Sequence, residues 1–129
     1  MKCNELTHSE EIVMKGIWEL EGAIRLSHIV EHVNRENGLT WKPQTVSTFI
    51  SKLVRKGYLE PYRSGQYIYY HILISMDEYR RYLVKKNLSF WNHDNVLAYV
   101  SDLCHARQMT REEIRRLKEE LDELDTDIN

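Results

Sequence analysis

Polar and basic side chains recur every three or four residues between positions 44 and 55, opposite the apolar side of a predicted helix. They are Gln44, Thr45, Thr48, Ser51, Lys52 and Arg55. Amide, hydroxyl and basic groups can bind base edges or phosphates, whereas a carboxylate is repelled by phosphates, and this face contains no acid. The pattern therefore predicts a helix that lies in the major groove of double-stranded DNA. A helix that merely faces solvent is the plainer alternative, although such a face usually includes some Glu.

The charge of the chain is unevenly distributed. Its formal net charge of -2 is unusual for a nucleic-acid binder. Residues 41–72, however, contain five basic residues and a single acid, whereas residues 110–129 contain four basic residues and eight acids. The first segment could therefore face a polyanion, and the second would be repelled by it.

Three helices are expected in the first 57 residues, over about 8–21, 27–38 and 43–57. Thr7 and Glu10 have the spacing of a capping box, which starts the first helix. Gly38 permits the left-handed conformation that ends the second. Pro43 suits the first turn of the third, because its missing N–H would have no partner within the helix. The apolar side of this third helix comprises Val46, Phe49, Ile50, Leu53 and Val54.

A β-hairpin is predicted directly after the third helix. Residues 58–62 and 66–72 are rich in aromatic and β-branched side chains, and Arg63-Ser64-Gly65 between them reads as the turn. Pro61 indicates that the first strand lies at a sheet edge. Core packing is expected for Tyr58, Tyr69 and Tyr70. Three helices followed by a hairpin with a basic tip is the order of a winged helix-turn-helix.

Within this arrangement the candidate DNA contacts fall into three groups. Gln44, Thr45 and Thr48 are predicted to face base edges, and Gln44 is the best candidate for a bidentate contact to adenine. The phosphate contacts are expected from Lys42, Lys52, Arg55 and Arg63. Tyr67 is a further candidate contact from the wing.

Four separated segments resemble the penicillinase repressor (BlaI/MecI) family, which also includes CopY-type copper-responsive repressors. They are residues 11–18 (EIVMKGIW), 41–46 (WKPQTV), 53–59 (LVRKGYL) and 65–70 (GQYIYY). The resemblance extends more weakly through the C-terminal helices. It implies a homodimeric transcriptional repressor, not an enzyme, that binds a palindromic operator. The expected fold is mainly α with a small β-hairpin wing: a winged-helix DNA-binding domain over residues 1–75 and a helical dimerisation domain over residues 76–129.

The C-terminal part has its own indications of a dimer. A helix is expected to open at Asp77-Glu78-Tyr79, and a capping box at Thr110 and Glu113 starts the last helix. The apolar residues that recur at helical spacing are Val96, Leu97, Val100, Leu103 and Cys104, followed by Ile114, Leu117, Leu121 and Leu124. A narrow apolar seam on a charged helix must be buried, and about 50 residues of helix offer little of their own to bury it. A second subunit is therefore the predicted partner, and packing against the same subunit is the alternative.

Enzymatic and metal-binding interpretations were also considered. His28, Glu31 and His32 match the H-x-x-E-H zinc-protease pattern, but a catalytic zinc needs a third protein ligand and an open cleft. Two histidines facing solvent on a helix are the expected explanation, so no metal, cofactor or catalytic residue is predicted. A resemblance to CopY would imply a pair of Cys-x-Cys elements in the C-terminal part of the chain. That part contains only Cys104-His105.

The inducing signal stays open at the level of the sequence. In relatives controlled by β-lactams, the resemblance implies a membrane sensor-protease system and a cut at an Asn-Phe step, which aligns here with Ala98-Tyr99. An apparent loop insertion at Cys104–Gln108 adds to this departure. Neither a secretion signal nor a membrane span is indicated, so the cytoplasm is the expected location. Two other functions are compatible with the sequence: a winged-helix adaptor that binds protein, and a metal-responsive regulator using His28, His32 or Cys104.

Overall fold

The computed structural model describes residues 3–128 and is mainly helical. The elements follow in the order α1 His8–Glu19, α2 Leu26–Asn37, α3 Pro43–Arg55, β1 Leu59–Ser64, β2 Tyr67–Ile72, α4 Met76–Asn92, α5 Val96–Ala106 and α6 Arg111–Ile128. The three N-terminal helices followed by an antiparallel hairpin form a winged helix-turn-helix, as predicted. The chain divides into two compact units, Met1–Leu83 and Val84–Asn129, and α4 contributes residues to both.

The first unit has a continuous apolar core. It is built from α1, α2, α3, the start of β1 and the first turn of α4, and several of its side chains have no exposed surface. Its fully buried members include Val13, Ile17, Ile29, Val46, Leu53 and Tyr58. Trp18 lies beside this core and donates its indole N–H to the carbonyl of Ile74, at 2.9 Å. The polar atom of this large side chain is thereby satisfied next to the core.

The capping residues found in the sequence correctly predicted two helix starts and one helix end. The Thr7 side chain accepts from the Glu10 N–H and the Glu10 carboxylate accepts from the Thr7 N–H, so the predicted capping box is confirmed. The same reciprocal pair joins Thr110 and Glu113 at the start of α6. Gly38 ends α2 with φ 61°, in the left-handed conformation.

Several sequence-based boundaries were wrong. Helix α1 ends at Glu19 instead of residue 21, and α3 ends at Arg55 instead of Gly57. Residues 104–106, expected in a loop, form the last turn of α5. These errors lie at helix ends, where the last turn depends on packing and capping more than on the apolar period.

The wing is a two-stranded sheet with a tighter turn than predicted. Arg63 and Ser64 belong to β1, and the turn is the two-residue Gly65-Gln66, with Gly65 at φ 64°. A two-residue turn with positive φ matches the twist of paired strands, which explains why the hairpin closes there. On its other side β2 bonds to the segment before α2, through the Tyr70 N–H and the Ile24 carbonyl at 3.1 Å. In the described chain β1 is thus an edge strand, as Pro61 predicted.

The second unit contains α5, α6 and the end of α4. In residues 84–128 no side chain is classed as buried. No described helix of the protein combines the length and apolarity needed to cross a membrane.

Candidate nucleic-acid interface

Two hydrogen bonds from one side chain fix the turn between α2 and α3. The Asn34 amide accepts from the Trp41 N–H at 3.0 Å and donates to the Trp41 carbonyl at 2.9 Å. The Trp41 ring in turn packs on Phe49, with centroids 5.3 Å apart. Because the turn is bound to α2 and its aromatic residue to α3, the first turn of α3 has a fixed direction.

The apolar side of α3 packs into the core and turns the polar side outward. Val46, Ile50 and Leu53 are buried among residues of α1 and α2, while Phe49 and Val54 are only partly buried. The predicted core face is therefore correct, with Phe49 and Val54 at its margins. The opposite side of α3 has no role in the core.

Every DNA-contact residue predicted on or beside α3 is exposed. These are Lys42, Gln44, Thr45, Thr48, Lys52 and Arg55. Thr48 donates its hydroxyl to the Gln44 carbonyl at 3.0 Å, which leaves the hydroxyl oxygen free to accept another bond. The Lys52 ammonium lies 5.6 Å from the centre of the Phe49 ring. The helix thus presents hydrogen-bonding and basic groups without a single carboxylate of its own.

The basic groups of this face are free of acidic partners. In residues 3–128, no ion pair joins an acid to Lys42, Lys52, Arg55 or Arg63. Their charge is consequently available to an anion.

Lys56, in contrast to these four basic residues, has an acidic partner. A count of charges by segment does not distinguish it from them. Its ammonium lies 2.6 Å from a carboxylate oxygen of Glu10, which is buried, and 2.8 Å from the Glu5 carbonyl. Burial raises the pKa of the Glu10 carboxyl, but hydrogen bonds from Lys56 and Thr7 and the Lys56 charge outweigh this, so the pKa is lowered. Lys56 therefore fastens the end of α3 to the N-terminal segment and is not a free cation.

The wing places Arg63 and Tyr67 beside the helices. Both side chains are exposed, and both line a cleft of about 440 Å³ between the start of α2, α3 and the wing. Tyr58 and Tyr70 pack in or against the core as expected. Tyr69, also expected there, instead stacks on Tyr62 at 5.8 Å because it lies on the other face of the hairpin.

Arg25 belongs to this cleft and was missed by the sequence analysis. Its guanidinium carbon lies 4.0 Å from the centre of the Tyr67 ring, and its backbone pairs with Tyr69. Its partners are more than 40 residues away in the chain, so no local period indicates the contact. The available signal was a lone basic residue directly before α2.

The two histidines of the zinc-protease pattern have different surroundings in the structure. His28 is exposed and donates from Nδ1 to the Ala23 carbonyl at 3.2 Å. The prediction that both histidines face solvent is wrong for His32, which is partly buried against α1. Its Nε2 donates to Glu19 at 3.0 Å and its Nδ1 accepts from Arg35 at 3.2 Å. No cluster of three or more His, Cys, Asp or Glu suited to a metal occurs among the described residues.

Most of the residues predicted to join two subunits are exposed in the second unit. On α5 they are Val96, Leu97, Val100 and Leu103, and on α6 they are Ile114, Leu117, Leu121 and Leu124. Leu97 is 83% exposed, and Leu117 alone of the eight is partly covered. The sequence analysis missed Phe90 and Trp91, which are 70% and 72% exposed near the end of α4. We call these ten residues the α4–α6 apolar surface.

Comparison with known proteins places the chain in a family. A family model described as penicillinase repressor matches residues 6–123. The penicillinase repressor of Bacillus licheniformis is 25% identical over 122 residues, covering 95% of this chain and 93% of the relative. The methicillin resistance regulatory protein MecI of Staphylococcus aureus is 21% identical over 117 residues, covering 91% and 93% of the two chains.

One solved structure is also similar to part of the chain. It is the solution structure of Bacillus licheniformis BlaI, in its monomeric form, in complex with the blaP half-operator. The match has 26% identity and a TM-score of 0.49, and it covers 60% of this chain and 92% of the other. Since the family model spans nearly all of the sequence, the chain belongs to the penicillinase repressor family.

Proposed function

We propose that this protein is a homodimeric transcriptional repressor that binds a palindromic operator through α3 and the wing. One observation carries the DNA-binding proposal: α3 turns an acid-free row of polar side chains to solvent, flanked by basic groups without acidic partners. An α-helix of this kind fits the major groove, where amide and hydroxyl groups can distinguish base pairs. Membership of the penicillinase repressor family, and the similarity to the penicillinase repressor of Bacillus licheniformis, support the same function.

The proposed roles follow from position. Gln44, Thr45 and Thr48 lie in the first half of α3 and would contact base edges. Lys42 precedes the helix, whereas Lys52 and Arg55 lie in its last turns, so these three would reach phosphates on either side of the groove. Arg63 and Tyr67 would contact the backbone or the adjacent minor groove from the wing.

The proposed dimer rests on the α4–α6 apolar surface. Leu, Val, Phe and Trp side chains exposed together on neighbouring helices are costly in water and indicate an interface. Two identical chains can bury the same surface against each other about a twofold axis, and a twofold dimer matches a palindromic operator. Trp91 is the best candidate for the centre of this contact, because Trp is enriched among the residues that dominate binding energy.

We place the repressor in the cytoplasm, where its DNA would be.

The residues described above do not specify the inducing signal. Ala98 and Tyr99 lie within α5, whose start is capped by Asn95 through the Ala98 N–H at 3.0 Å. A protease would therefore need α5 to open locally before it could cut this step. A cut there would separate Leu97 from Val100 and divide the α4–α6 apolar surface, which is a way to release a dimeric repressor from DNA.

The proposed function can be tested by selecting random duplexes with the purified protein and sequencing those that are bound at two salt concentrations. We expect an inverted repeat whose half-sites are separated by about one helical turn, or a multiple of it, and weaker binding at the higher salt. Enrichment of a single half-site would contradict the dimer. No enrichment, with no binding even at low salt, would contradict DNA binding and favour a protein-binding adaptor.

A further inference from the structure

We propose that the cleft between α2, α3 and the wing holds one phosphate of the operator backbone, and that Arg25 is its principal ligand. This inference rests on the proposed function and deepens it. If α3 lies in the major groove and the wing reaches the adjacent minor groove, the sugar–phosphate strand that separates the grooves must pass between them. In this structure the space between α3 and the wing is the cleft.

The lining of the cleft suits a phosphate. Arg25 and Arg63 supply two positive charges, and Ser27, Ser47 and Gln66 supply hydroxyl and amide donors. None of its lining residues within 3–128 is Asp or Glu, although the chain as a whole contains more acids than bases. The volume of about 440 Å³ leaves room for the phosphate and parts of its two sugars. The two guanidinium groups would repel a cationic ligand and attract an anionic one.

Arg25 is held in place before DNA arrives. Its guanidinium stacks on the Tyr67 ring at 4.0 Å, and its backbone pairs with Tyr69 while the neighbouring Ile24 carbonyl accepts from Tyr70. A planar guanidinium that stacks by its face keeps its edge N–H groups free, and within residues 3–128 no acid forms an ion pair with them. Arg25 thus connects the start of α2 to the wing.

The geometry assigns separate tasks to Arg25 and Tyr67. Arg25 would bind the phosphate directly and without regard to the base sequence. Tyr67 would act as a positioning residue, since its ring supports the guanidinium. Substitutions at the two positions should therefore differ in their dependence on salt.

The test measures the affinity of full-length protein for its selected duplex across a salt series. For Arg25→Gln we expect about a tenfold loss of affinity and a salt slope shallower by about one unit, with unchanged base preference. Arg25→Lys keeps the charge and should retain the slope while losing part of the affinity. Tyr67→Phe and Tyr67→Leu both keep the charge of the cleft, and Tyr67→Leu, which removes the ring under the Arg25 guanidinium, should weaken binding more than Tyr67→Phe.

A matched control is Lys15→Gln, which removes one positive charge from the exposed face of α1. It should leave the slope unchanged. If Arg25→Gln weakens binding with the wild-type slope, or only lowers thermal stability, Arg25 has a structural role and the phosphate proposal is wrong. If the wild-type protein binds no duplex at any salt concentration, the proposed function itself fails and this inference fails with it.

Discussion

The two units of the chain differ in how much of their apolar surface they bury themselves. Residues 3–83 enclose a core in which Val13, Ile17, Val46 and Leu53 have no exposed surface. In residues 84–128 no side chain is buried, and Leu97 is 83% exposed. Both units contain amphipathic helices. The apolar side of α3 packs against other helices of its own unit, whereas most apolar side chains of α5 and α6 are exposed. The first unit therefore buries its apolar surface within the chain, whereas the second leaves apolar side chains exposed.

The charged side chains of the two units also differ in whether they pair with an opposite charge. On α6, Arg115 bonds to Glu112 and Glu119 of its own helix, and Arg107 before the helix lies 2.5 Å from Glu113. That carboxyl accepts hydrogen bonds from Arg107 and from the Thr110 N–H, which lower its pKa to about 2. Within the described residues, no acid forms an ion pair with Lys42, Lys52 or Arg55 of the α3 face. Charges that neutralise one another on a surface contribute solubility, and charges left unpaired can bind an anion.

The largest effect is expected from Leu121→Asp on the α4–α6 apolar surface. Each substitution occurs twice in a homodimer, so dissociation should become easier by about 3 to 6 kcal/mol if both leucines are fully buried there. Sedimentation of the variant should show monomers at concentrations where the wild-type protein is dimeric. Thr126→Asp, which adds the same charge elsewhere on α6, should remain dimeric. If the two variants have the same mass in sedimentation, Leu121 does not lie in the interface.

A core substitution in the first unit sharpens the comparison. Leu53→Ala should lower the free energy of unfolding by about 2 to 5 kcal/mol, because it leaves a cavity beneath α3. Since that core lies within one chain, the loss should not depend on protein concentration. Leu97→Ala should instead produce a loss that does depend on concentration. Thermal unfolding of both variants at several concentrations separates the two kinds of burial, and the same dependence for both would contradict the comparison.

The buried pair at the end of α3 predicts a dependence on pH. Glu10→Gln removes the charge that Lys56 pairs with and should cost about 1 to 3 kcal/mol at pH 7, less than for a fully buried pair because Lys56 is partly exposed. The pKa of Glu10 is lower in the folded protein, so its contribution is present above the ordinary value of 4.5 and disappears as the pH falls through the folded value. Denaturant titrations should therefore show the two proteins converging in acid. A constant difference across the pH range would contradict this role.

Base readout by Gln44 should appear at one operator position. Gln44→Ala should reduce discrimination there by about 1 to 3 kcal/mol and leave the other positions unchanged. Binding to a series of duplexes mutated one base pair at a time provides the measurement. An unchanged preference across the whole series would mean that Gln44 faces the groove without reading a base.

The smallest effect is expected from Lys52→Ala. A phosphate contact carries no sequence information, so all duplexes should bind more weakly by a similar factor and the salt slope should fall by about one unit. The substitution also removes a cation from over the Phe49 ring, and Lys52→Arg restores the charge as a control. A wild-type slope in Lys52→Ala would show that this side chain does not contact phosphate.

Local sequence patterns predicted the parts of the fold that local physics determines. The capping boxes at Thr7 and Thr110, the left-handed Gly38 and the apolar period of α3 each involve residues within a few positions of one another. The polar face of α3 could be predicted for the same reason, since the side of a helix opposite its core faces outward.

Contacts between distant residues could not be predicted in this way. Lys56 reaches Glu10 across 46 positions, and a count of charges treats it as a free cation. His32 is bound by Glu19 of another helix, which a motif within α2 does not contain. Arg25 meets Tyr67 only after the wing has folded onto the start of α2. Each of these depends on how the elements pack, and a single sequence carries no direct record of that packing.

The most direct test of the account is the molecular mass of the full-length protein, free and on its selected duplex, measured by sedimentation together with Leu121→Asp. We expect twice the chain mass of 15.5 kDa for the free wild-type protein and two chains on each inverted repeat, with the variant monomeric and weakly bound. A wild-type protein that stays monomeric when free and binds as a single chain would contradict it, because the second unit would then keep its apolar surface in water.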